Sequence, residues 1–169
     1  MFFNDRMARA VLCAAFAAAL ASPSLAQKAA AASGPLAPLA GAWSGAGSVT
    51  LANGERERIR CRASYDVGAD GERLRQKLDC ASDSYRFSLH GDMRVDASGS
   101  LAGSWTETTR NAGGSVSGRA TQGTINGLIE GTGFSGAISV TTQGDRQSVS
   151  LRSQGEVRAV AITLRRSGR

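Results

Sequence analysis

Apolar and polar residues alternate along most of the chain after residue 40. The pattern is clear in SVTL at 48–51, YRFSL at 85–89, GAISVTT at 136–142 and AVAITL at 159–164. A period of two is typical of half-buried β-strands, and no stretch in this part repeats apolar residues at helical spacing over three turns. Turn dipeptides such as Asn53-Gly54 and Asp70-Gly71 recur between the alternating runs. Short strands and regular turns of this kind are typical of an all-β sandwich or barrel.

The first 26 residues have the pattern of an export signal. Arg6 and Arg9 precede the apolar run AVLCAAFAAALA at 10–21, and Ser24-Leu25-Ala26 forms a small-x-small cleavage site. The run is shorter than the roughly 20 apolar residues that a membrane-spanning helix needs. We therefore expect residues 1–26 to be a cleaved signal peptide and the mature protein to be periplasmic or secreted, without a transmembrane anchor.

Two regions follow the predicted signal peptide. Residues 27–40, QKAAAASGPLAPLA, are rich in alanine and contain Pro35 and Pro38, which disfavour a helix. We interpret them as a flexible lead-in. Residues 41–166 form the predicted domain, for which we expect a single antiparallel up-and-down barrel, or a strongly coiled sheet, of about 8 to 10 strands. No substantial helix is expected in the mature chain.

Two cysteines remain after signal cleavage, and a hairpin pattern pairs them. When the strands are folded back at Asp70-Gly71, Cys61 lies opposite Cys80. The same register places Val67 opposite Leu74 on one apolar face. Because an exported protein meets oxidising conditions, we predict a Cys61–Cys80 disulfide. A strict two-residue turn would put the pair at a hydrogen-bonded site, whereas a four-residue loop over residues 69–72 would put it at a non-hydrogen-bonded one.

The other face of this hairpin is basic. Its six positive side chains are Arg58, Arg60, Arg62, Arg73, Arg75 and Lys77. The register places Asp79 across from Arg62 and Asp66 across from Arg75. Two interpretations remain open: a solvated face that keeps the hairpin soluble, or a docking patch for anionic envelope material such as lipid headgroups or polysaccharide. The chain as a whole has a net charge of +6, but no stacking aromatics alternate with these arginines, so we expect no nucleic-acid partner.

A glycine-containing pentapeptide recurs three times in the second half of the chain, as GSLAG at 99–103, GSVSG at 114–118 and GTING at 123–127. If the aliphatic residue of each points inward, so does the glycine two residues later, namely Gly103, Gly118 and Gly127. Interior glycines relieve crowding where a small barrel bends sharply. They also leave volume that a ligand could fill, and sharp coiling is the commoner cause.

The first and last predicted strands resemble those of calycin barrels. Gly41-Ala42-Trp43 opens the first strand, and Arg165 and Arg166 close the last. This is similar to the arrangement in lipocalins, avidins and small bacterial metalloprotease inhibitors, where a basic side chain of the final strand covers the indole. The segment LAGSW at 101–105 resembles a later avidin strand, although the chain lacks the several tryptophans of avidins and the helix of lipocalins. The whole chain also resembles uncharacterised exported proteins of rhizobial-type bacteria.

The residues do not form a recognisable catalytic or metal-binding set. His90 is the only histidine, and the two mature cysteines are committed to each other, so no zinc-type ligand set is available. No G-x-S-x-G elbow occurs, and no sheet–helix alternation would support one. We therefore predict a protein that is not an enzyme, with no cofactor, no metal and no catalytic residue.

Three functions remain after this elimination. The resemblance and the interior glycines favour a binding module for a small apolar or amphipathic ligand held inside the barrel. The alternatives are a structural envelope protein that contacts an anionic surface through the basic hairpin, and a protease inhibitor. The candidate ligand contacts are Trp43, Trp105, Phe134, Gly103, Gly118 and Gly127.

Overall fold

The computed structural model describes residues 33–168. The predicted signal peptide and the first part of the lead-in lie outside the described residues. A short 3-10 helix, Ala37–Leu39, precedes ten strands. The strands are β1 (Gly41–Leu51), β2 (Arg56–Val67), β3 (Arg73–Ala81), β4 (Arg86–Val95), β5 (Ser100–Glu107), β6 (Ala112–Thr121), β7 (Thr124–Gly131), β8 (Phe134–Gln143), β9 (Arg146–Ser153) and β10 (Val157–Arg166).

The strands form a closed antiparallel barrel in which each strand pairs with the next one along the chain. β1 pairs with β10 and closes the sheet. The all-β, up-and-down barrel predicted from the alternation is confirmed, and the sandwich alternative is wrong because the ladder of strands is unbroken. Inward positions are apolar in nearly every strand, as the burial pattern of Arg56–Val67 shows, where Ile59, Cys61, Ala63 and Tyr65 are all buried.

The β2–β3 hairpin has the predicted register. Cys61 pairs with Cys80 and Val67 with Leu74, and the two cysteines form a disulfide. Of the two turn alternatives, the structure has the four-residue loop, because the Gly68 amide donates to the Arg73 carbonyl at 3.0 Å and brackets residues 69–72. The Cα atoms of the cysteines are 4.1 Å apart, which fits a non-hydrogen-bonded pair.

Residues 33–40 close one end of the barrel, which differs from the flexible lead-in expected over residues 27–40. Leu36 and Leu39 are 0% and 1% exposed and fill the space between the strands. The Leu36 amide donates to the Gly71 carbonyl at 3.0 Å, and the Gly123 amide donates to the Pro35 carbonyl at 2.8 Å. The prolines exclude an α-helix but not a single 3-10 turn, and that turn puts both leucines on the barrel side. We call residues 33–40 the plug.

Trp43 and Arg166 fasten the plug to the barrel. Trp43 is buried, and its indole N–H donates to the Leu39 carbonyl at 2.7 Å. The Arg166 guanidinium lies over the indole, 4.2 Å from the ring centroid, and donates to the carbonyls of Pro38 and Ala40. The expected cover of the first-strand tryptophan by a last-strand arginine is thus present, and Arg166 rather than Arg165 provides it.

The interior glycines of the pentapeptide repeat lie where the barrel wall is tightly coiled. A Cβ on Gly103 would lie 2.2 Å from the Asp92 carbonyl oxygen, and one on Gly118 would lie 2.2 Å from that of Asn126. Real Cβ atoms do not approach a backbone oxygen so closely, so neighbouring backbone occupies the space a side chain would need. This geometry supports coiling as the reason for these glycines.

Candidate functional site

An apolar cavity of about 280 Å³ occupies the barrel between the buried core at the plugged end and the opposite, open end. The β1–β2, β3–β4, β5–β6, β7–β8 and β9–β10 turns surround the open end, because every second turn of an up-and-down barrel lies at the same end. Aliphatic side chains from most strands form the cavity wall, among them Leu78, Leu89, Ile129, Ile138, Val149, Leu151 and Val160. Period-two alternation thus yields an interior that is apolar but incompletely filled.

Five aromatic side chains line the cavity: Tyr65 at the plugged end, and Trp105, Phe134, Tyr85 and Phe87. The Trp105 and Phe134 rings meet edge to face with centroids 6.0 Å apart. Tyr85 and Phe87 meet in the same way at 6.3 Å. Such pairs present both ring faces and ring edges to the cavity, which suits contact with an aromatic or flat aliphatic ligand.

Two glycines make room for the Trp105 indole. Trp105 pairs with Gly114 on β6, which pairs in turn with Gly131 on β7. A Cβ on Gly131 would lie 2.8 Å from Cζ2 of the indole, so the ring lies against this strand. Its N–H donates to the carbonyls of Ser115 and Glu130, both at 3.2 Å. The indole is therefore held flat along the wall and leaves the middle of the barrel open.

A buried polar chain marks the boundary between the cavity and the plugged end. The Tyr65 hydroxyl donates to Gln147 Oε1 at 2.7 Å, and Gln147 Nε2 donates to Thr142 Oγ1 at 3.0 Å. All three side chains are buried. Burial raises the pKa of the Tyr65 phenol well above its usual range, although the hydrogen bond to Gln147 acts in the opposite direction. Because these three side chains hydrogen-bond to one another, they present few unpaired polar atoms to the cavity, and its floor is effectively apolar.

The polar groups of the cavity are concentrated at its mouth. The Glu107 carboxylate accepts hydrogen bonds from the backbone amides of Ser88, Thr109 and Arg110 at 3.1, 2.9 and 2.8 Å. Burial alone would raise the pKa of Glu107, but hydrogen bonds from Thr109, Ser88 and Arg110 outweigh it and lower the pKa below its usual value. Glu107 therefore stays ionised and holds the β5–β6 turn in place.

Arg110 covers Tyr85 at the same mouth. Its guanidinium carbon lies 4.1 Å from the Tyr85 ring centroid. Burial raises the pKa of Tyr85, and the nearby Arg110 charge partly offsets that effect. Within residues 33–168, no carboxylate lies within 4.0 Å of the Arg110 guanidinium nitrogens. The mouth thus presents an aromatic ring and a cation that is free to meet a polar group.

The candidate ligand contacts named from the sequence fall into two groups. Trp105 and Phe134 line the cavity, whereas Trp43 lies beneath the plug and Gly103, Gly118 and Gly127 lie in the coiled wall outside the lining. Tyr85, Phe87, Glu107 and Arg110 were not among the ligand contacts expected from the sequence. The alternation in YRFSL marks the two aromatics as inward residues, but the glutamate and the arginine belong to a turn whose shape alternation does not specify.

The six basic residues of the hairpin are all exposed on the outer wall. Arg75 forms an ion pair with Asp66 at 2.6 Å, as its register position suggested. Asp79 pairs with Lys77 at 3.6 Å, although it lies across from Arg62 in the register. Among the described residues, no helix is long and apolar enough to cross a membrane, and no group of three or more His, Cys, Asp or Glu side chains could hold a metal ion.

Comparison with known proteins shows likeness at the level of the fold. No protein-family model matches the chain, and no curated protein matches it. Among solved structures, the chain is similar to Rv2717c from M. tuberculosis, with a TM-score of 0.57 and 14% identity over 78% of this chain and 94% of that one. It is also similar to the S-type phycobiliprotein lyase CPES from Guillardia theta, with a TM-score of 0.56 and 12% identity over 78% and 90% of the two chains. The closed antiparallel barrel is consistent with a calycin-like fold.

Proposed function

We propose that this protein is an exported, non-catalytic barrel that binds a small apolar or amphipathic ligand inside its cavity. The observation that carries the proposal is the apolar cavity of about 280 Å³ in an otherwise filled interior. Close-packed interiors contain few voids larger than a water molecule, and a concave apolar site with a few polar groups is the usual form of a ligand pocket. The similarity to two solved barrel structures supports the fold only, whereas the cavity supports the proposed ligand binding.

The volume sets the size of the ligand. At roughly 20 to 30 Å³ per non-hydrogen atom, close to the share of a water molecule in the liquid, the cavity holds about ten to fifteen such atoms. The aromatic side chains of the cavity wall favour a ligand with a ring system or a short apolar chain. A polar group on the ligand would remain at the mouth, where Arg110 and the Tyr85 hydroxyl are the available partners, since the Glu107 carboxylate is occupied by backbone amides.

Export is part of the proposal. The basic and apolar N-terminal pattern supports a cleaved signal, and the disulfide between β2 and β3 fits a protein that folds in an oxidising compartment. The lyase named among the similar structures does not extend the proposal to catalysis. At the mouth the Glu107 carboxylate is occupied by three backbone amides, so among the described residues it is not placed to exchange a proton with a bound ligand.

The cavity can be tested with 1-naphthylamine, a neutral fluorophore small enough for this volume, whose emission shifts to shorter wavelength in apolar surroundings. Ile129 lines the cavity, while its neighbour Leu128 points outward and is 55% exposed. We expect Ile129→Trp to fill the cavity and weaken probe binding at least about tenfold, the equivalent of roughly 1.4 kcal/mol. Leu128→Trp adds the same side chain one position away and is expected to leave binding unchanged.

Fluorescence titration of wild type and both variants separates the outcomes. Equal binding by all three would place the probe outside the cavity and overturn the proposal. If Ile129→Trp loses its cooperative thermal transition, the smaller change Val149→Ile, at another lining position, supplies the second test. A dissociation constant that stays at the wild-type value in a folded filling variant contradicts binding in the barrel.

A further inference from the structure

The positive charge of the barrel is concentrated on one side of its outer wall. The outward positions of β2, β3 and β4 carry Arg56, Arg58, Arg60, Arg62, Arg73, Arg75, Lys77, Arg86 and Arg94, against Asp66, Asp79 and Asp92. Among the other described residues, acidic side chains outnumber basic ones. The outward faces of three neighbouring strands therefore account for the net positive charge of residues 33–168. The positive charge is a property of this one surface and is not spread over the barrel.

Four of these arginines form a straight row along β2. Arg56, Arg58, Arg60 and Arg62 occupy alternate positions, so their Cα atoms follow one another at about 6.7 Å. Their partners on β1 are Thr50, Ser48, Ala46 and Ser44, all neutral and small. In the described part of the chain, none of the four has a carboxylate within 4.0 Å. Asp79, the acidic residue across from Arg62, is held by Lys77 and Ser88.

A shallow groove of about 720 Å³ lies beside this row. Arg56 and Arg58 form its basic side, and its floor extends across β1, β10 and β9 to β8. Val149 and Ile162 of this floor point into the barrel, and its outward side chains are short. Six of them bear hydroxyls: Ser48, Ser139, Thr141, Ser148, Ser150 and Thr163. We call the four arginines and this floor the arginine groove.

We propose that the arginine groove binds a linear acidic polysaccharide. Carboxylates repeated along the polymer would pair with successive guanidiniums, which form strong charge-assisted hydrogen bonds with such groups. The hydroxyls of the floor match the hydroxyls of sugar rings, and the short side chains allow a flat chain to lie close to the wall. This surface lies outside the barrel and is independent of the interior cavity.

A lipid surface fits the same charges less well. Proteins that dock on membranes through basic residues commonly add apolar side chains that enter the headgroup region. The large exposed hydrophobic side chain found among residues 33–168 is Leu128, on β7 and outside the arginine groove. The groove is also concave, whereas a bilayer would rest on the crests of the barrel wall. These features favour a polymer chain over a membrane.

Polygalacturonate, a uronic acid polymer, is the probe for this site. We expect the wild-type protein to bind it at low salt and release it as salt screens the charges. The double variant Arg58→Gln/Arg60→Gln is expected to bind at least about tenfold more weakly. Arg94→Gln/Arg119→Gln makes the same charge change at exposed positions on β4 and β6, and it is expected to retain binding within about threefold.

A second pair of variants tests the groove floor, and each member of the pair adds one negative charge. Ala161 is an exposed groove residue on β10, and Ala102 is an exposed residue on β5 away from the groove. Ala161→Glu is expected to repel the polymer as strongly as the arginine variant does, while Ala102→Glu has little effect. Isothermal titration with polygalacturonate, with dextran as the neutral comparator, measures all four variants.

Three results would overturn the proposal. If the groove variants and the control variants lost equal affinity for polygalacturonate, the polymer would be attracted by the net charge of the protein alone. Binding to phosphatidylglycerol vesicles without binding to polygalacturonate would assign the surface to a membrane, and binding to neither would leave a solvated face. None of these outcomes depends on probe binding in the interior cavity, so the two proposals fail separately.

Discussion

Two adjacent arginines at the end of β10 show how much the contacts of a single residue determine its role. Arg165 pairs with Asp145 at 3.3 Å in an exposed ion pair. Arg166 lies on the Trp43 ring and donates to carbonyls of the plug. Alternation puts Arg166 in line with the inward Ile162 and Leu164, and it puts Arg165 on the outer side. The contacts that each guanidinium then makes depend on the folded barrel.

We predict that Arg166→Gln lowers the stability of the barrel more than Arg165→Gln does. A guanidinium over an indole contributes about 0.5 to 2 kcal/mol, and the plug carbonyls lose their donor as well. The exposed Arg165–Asp145 pair is expected to contribute little. Urea unfolding of the two variants measures the difference. Equal midpoints would show that the plug does not depend on Arg166.

The Tyr65 phenol gives the protein a pH dependence at the alkaline end. Its pKa is raised above the usual value of 10.0 by burial. Below pH 10 the phenol is protonated in both the folded and the unfolded chain, so it adds no pH dependence. Above that value the unfolded chain releases the proton while the folded chain retains it, so the free energy of unfolding falls as pH rises.

Tyr65→Phe should therefore flatten the loss of stability above about pH 10. At neutral pH the same variant should be less stable by about 1 to 3 kcal/mol, because the buried Gln147 oxygen loses its donor. Tyr85→Phe, at the partly open mouth, is the control and should change the alkaline slope less. Thermal unfolding from pH 8 to 11 is the measurement, and an unchanged slope in Tyr65→Phe would contradict the assignment.

At the scale of elements, the β2–β3 hairpin was predictable because two independent patterns select one register. Pairing the cysteines and collecting the apolar side chains on one face require the same alignment. The length of the turn was not predictable from Asp70-Gly71, because the plug, a distant segment in the predicted pattern, packs against this turn. A Cβ on Gly71 would lie 1.7 Å from the Ser33 carbonyl oxygen, so the glycine serves the close approach of another segment as well as its own positive φ of 68°.

The disulfide that fastens this hairpin should contribute a large part of the net stability. Loss of a native disulfide from a small secreted domain typically costs about 2 to 5 kcal/mol. We expect Cys61→Ala/Cys80→Ala to lower the free energy of unfolding by an amount in this range. Wild type under dithiothreitol should match the double variant, and urea titration compares them. A reduced protein as stable as the oxidised one would contradict this role.

The plug and the cavity mouth show where prediction from alternation stops. Leu36 and Leu39 each follow a proline and are three residues apart, a spacing that forms one face only once a 3-10 turn exists. At the mouth, Trp105 and Phe134 could be nominated because they lie in alternating strands. Arg110 reaches Tyr85 through a turn at which Asn111 has a positive φ of 53°, and such geometry depends on contacts that alternation does not encode.

At the scale of the whole molecule, alternation predicts the number and type of strands but not whether the sheet closes. A sandwich and a barrel share the same period of two, since both bury one face of each strand. Closure depends on the β1–β10 pairing, which joins Trp43 to Arg166 in the register. The paired indole and arginine were the local sign of that closure, and the resemblance to calycin barrels rested on them.

The β1–β10 pairing also determines how the chain must assemble over time. Every other strand pair joins neighbours along the chain and can form early, whereas this one brings together the two ends of the barrel and costs the most loop-closure entropy. If the seam forms after the main folding barrier, contacts across it stabilise only the finished barrel. Weakening them, as Arg166→Gln does, would then accelerate unfolding and leave the folding rate nearly unchanged. Stopped-flow measurement of the folding and unfolding rates of wild type and Arg166→Gln tests this expectation. The lifetime of the native barrel would then depend chiefly on the strength of the contacts across its last-formed seam.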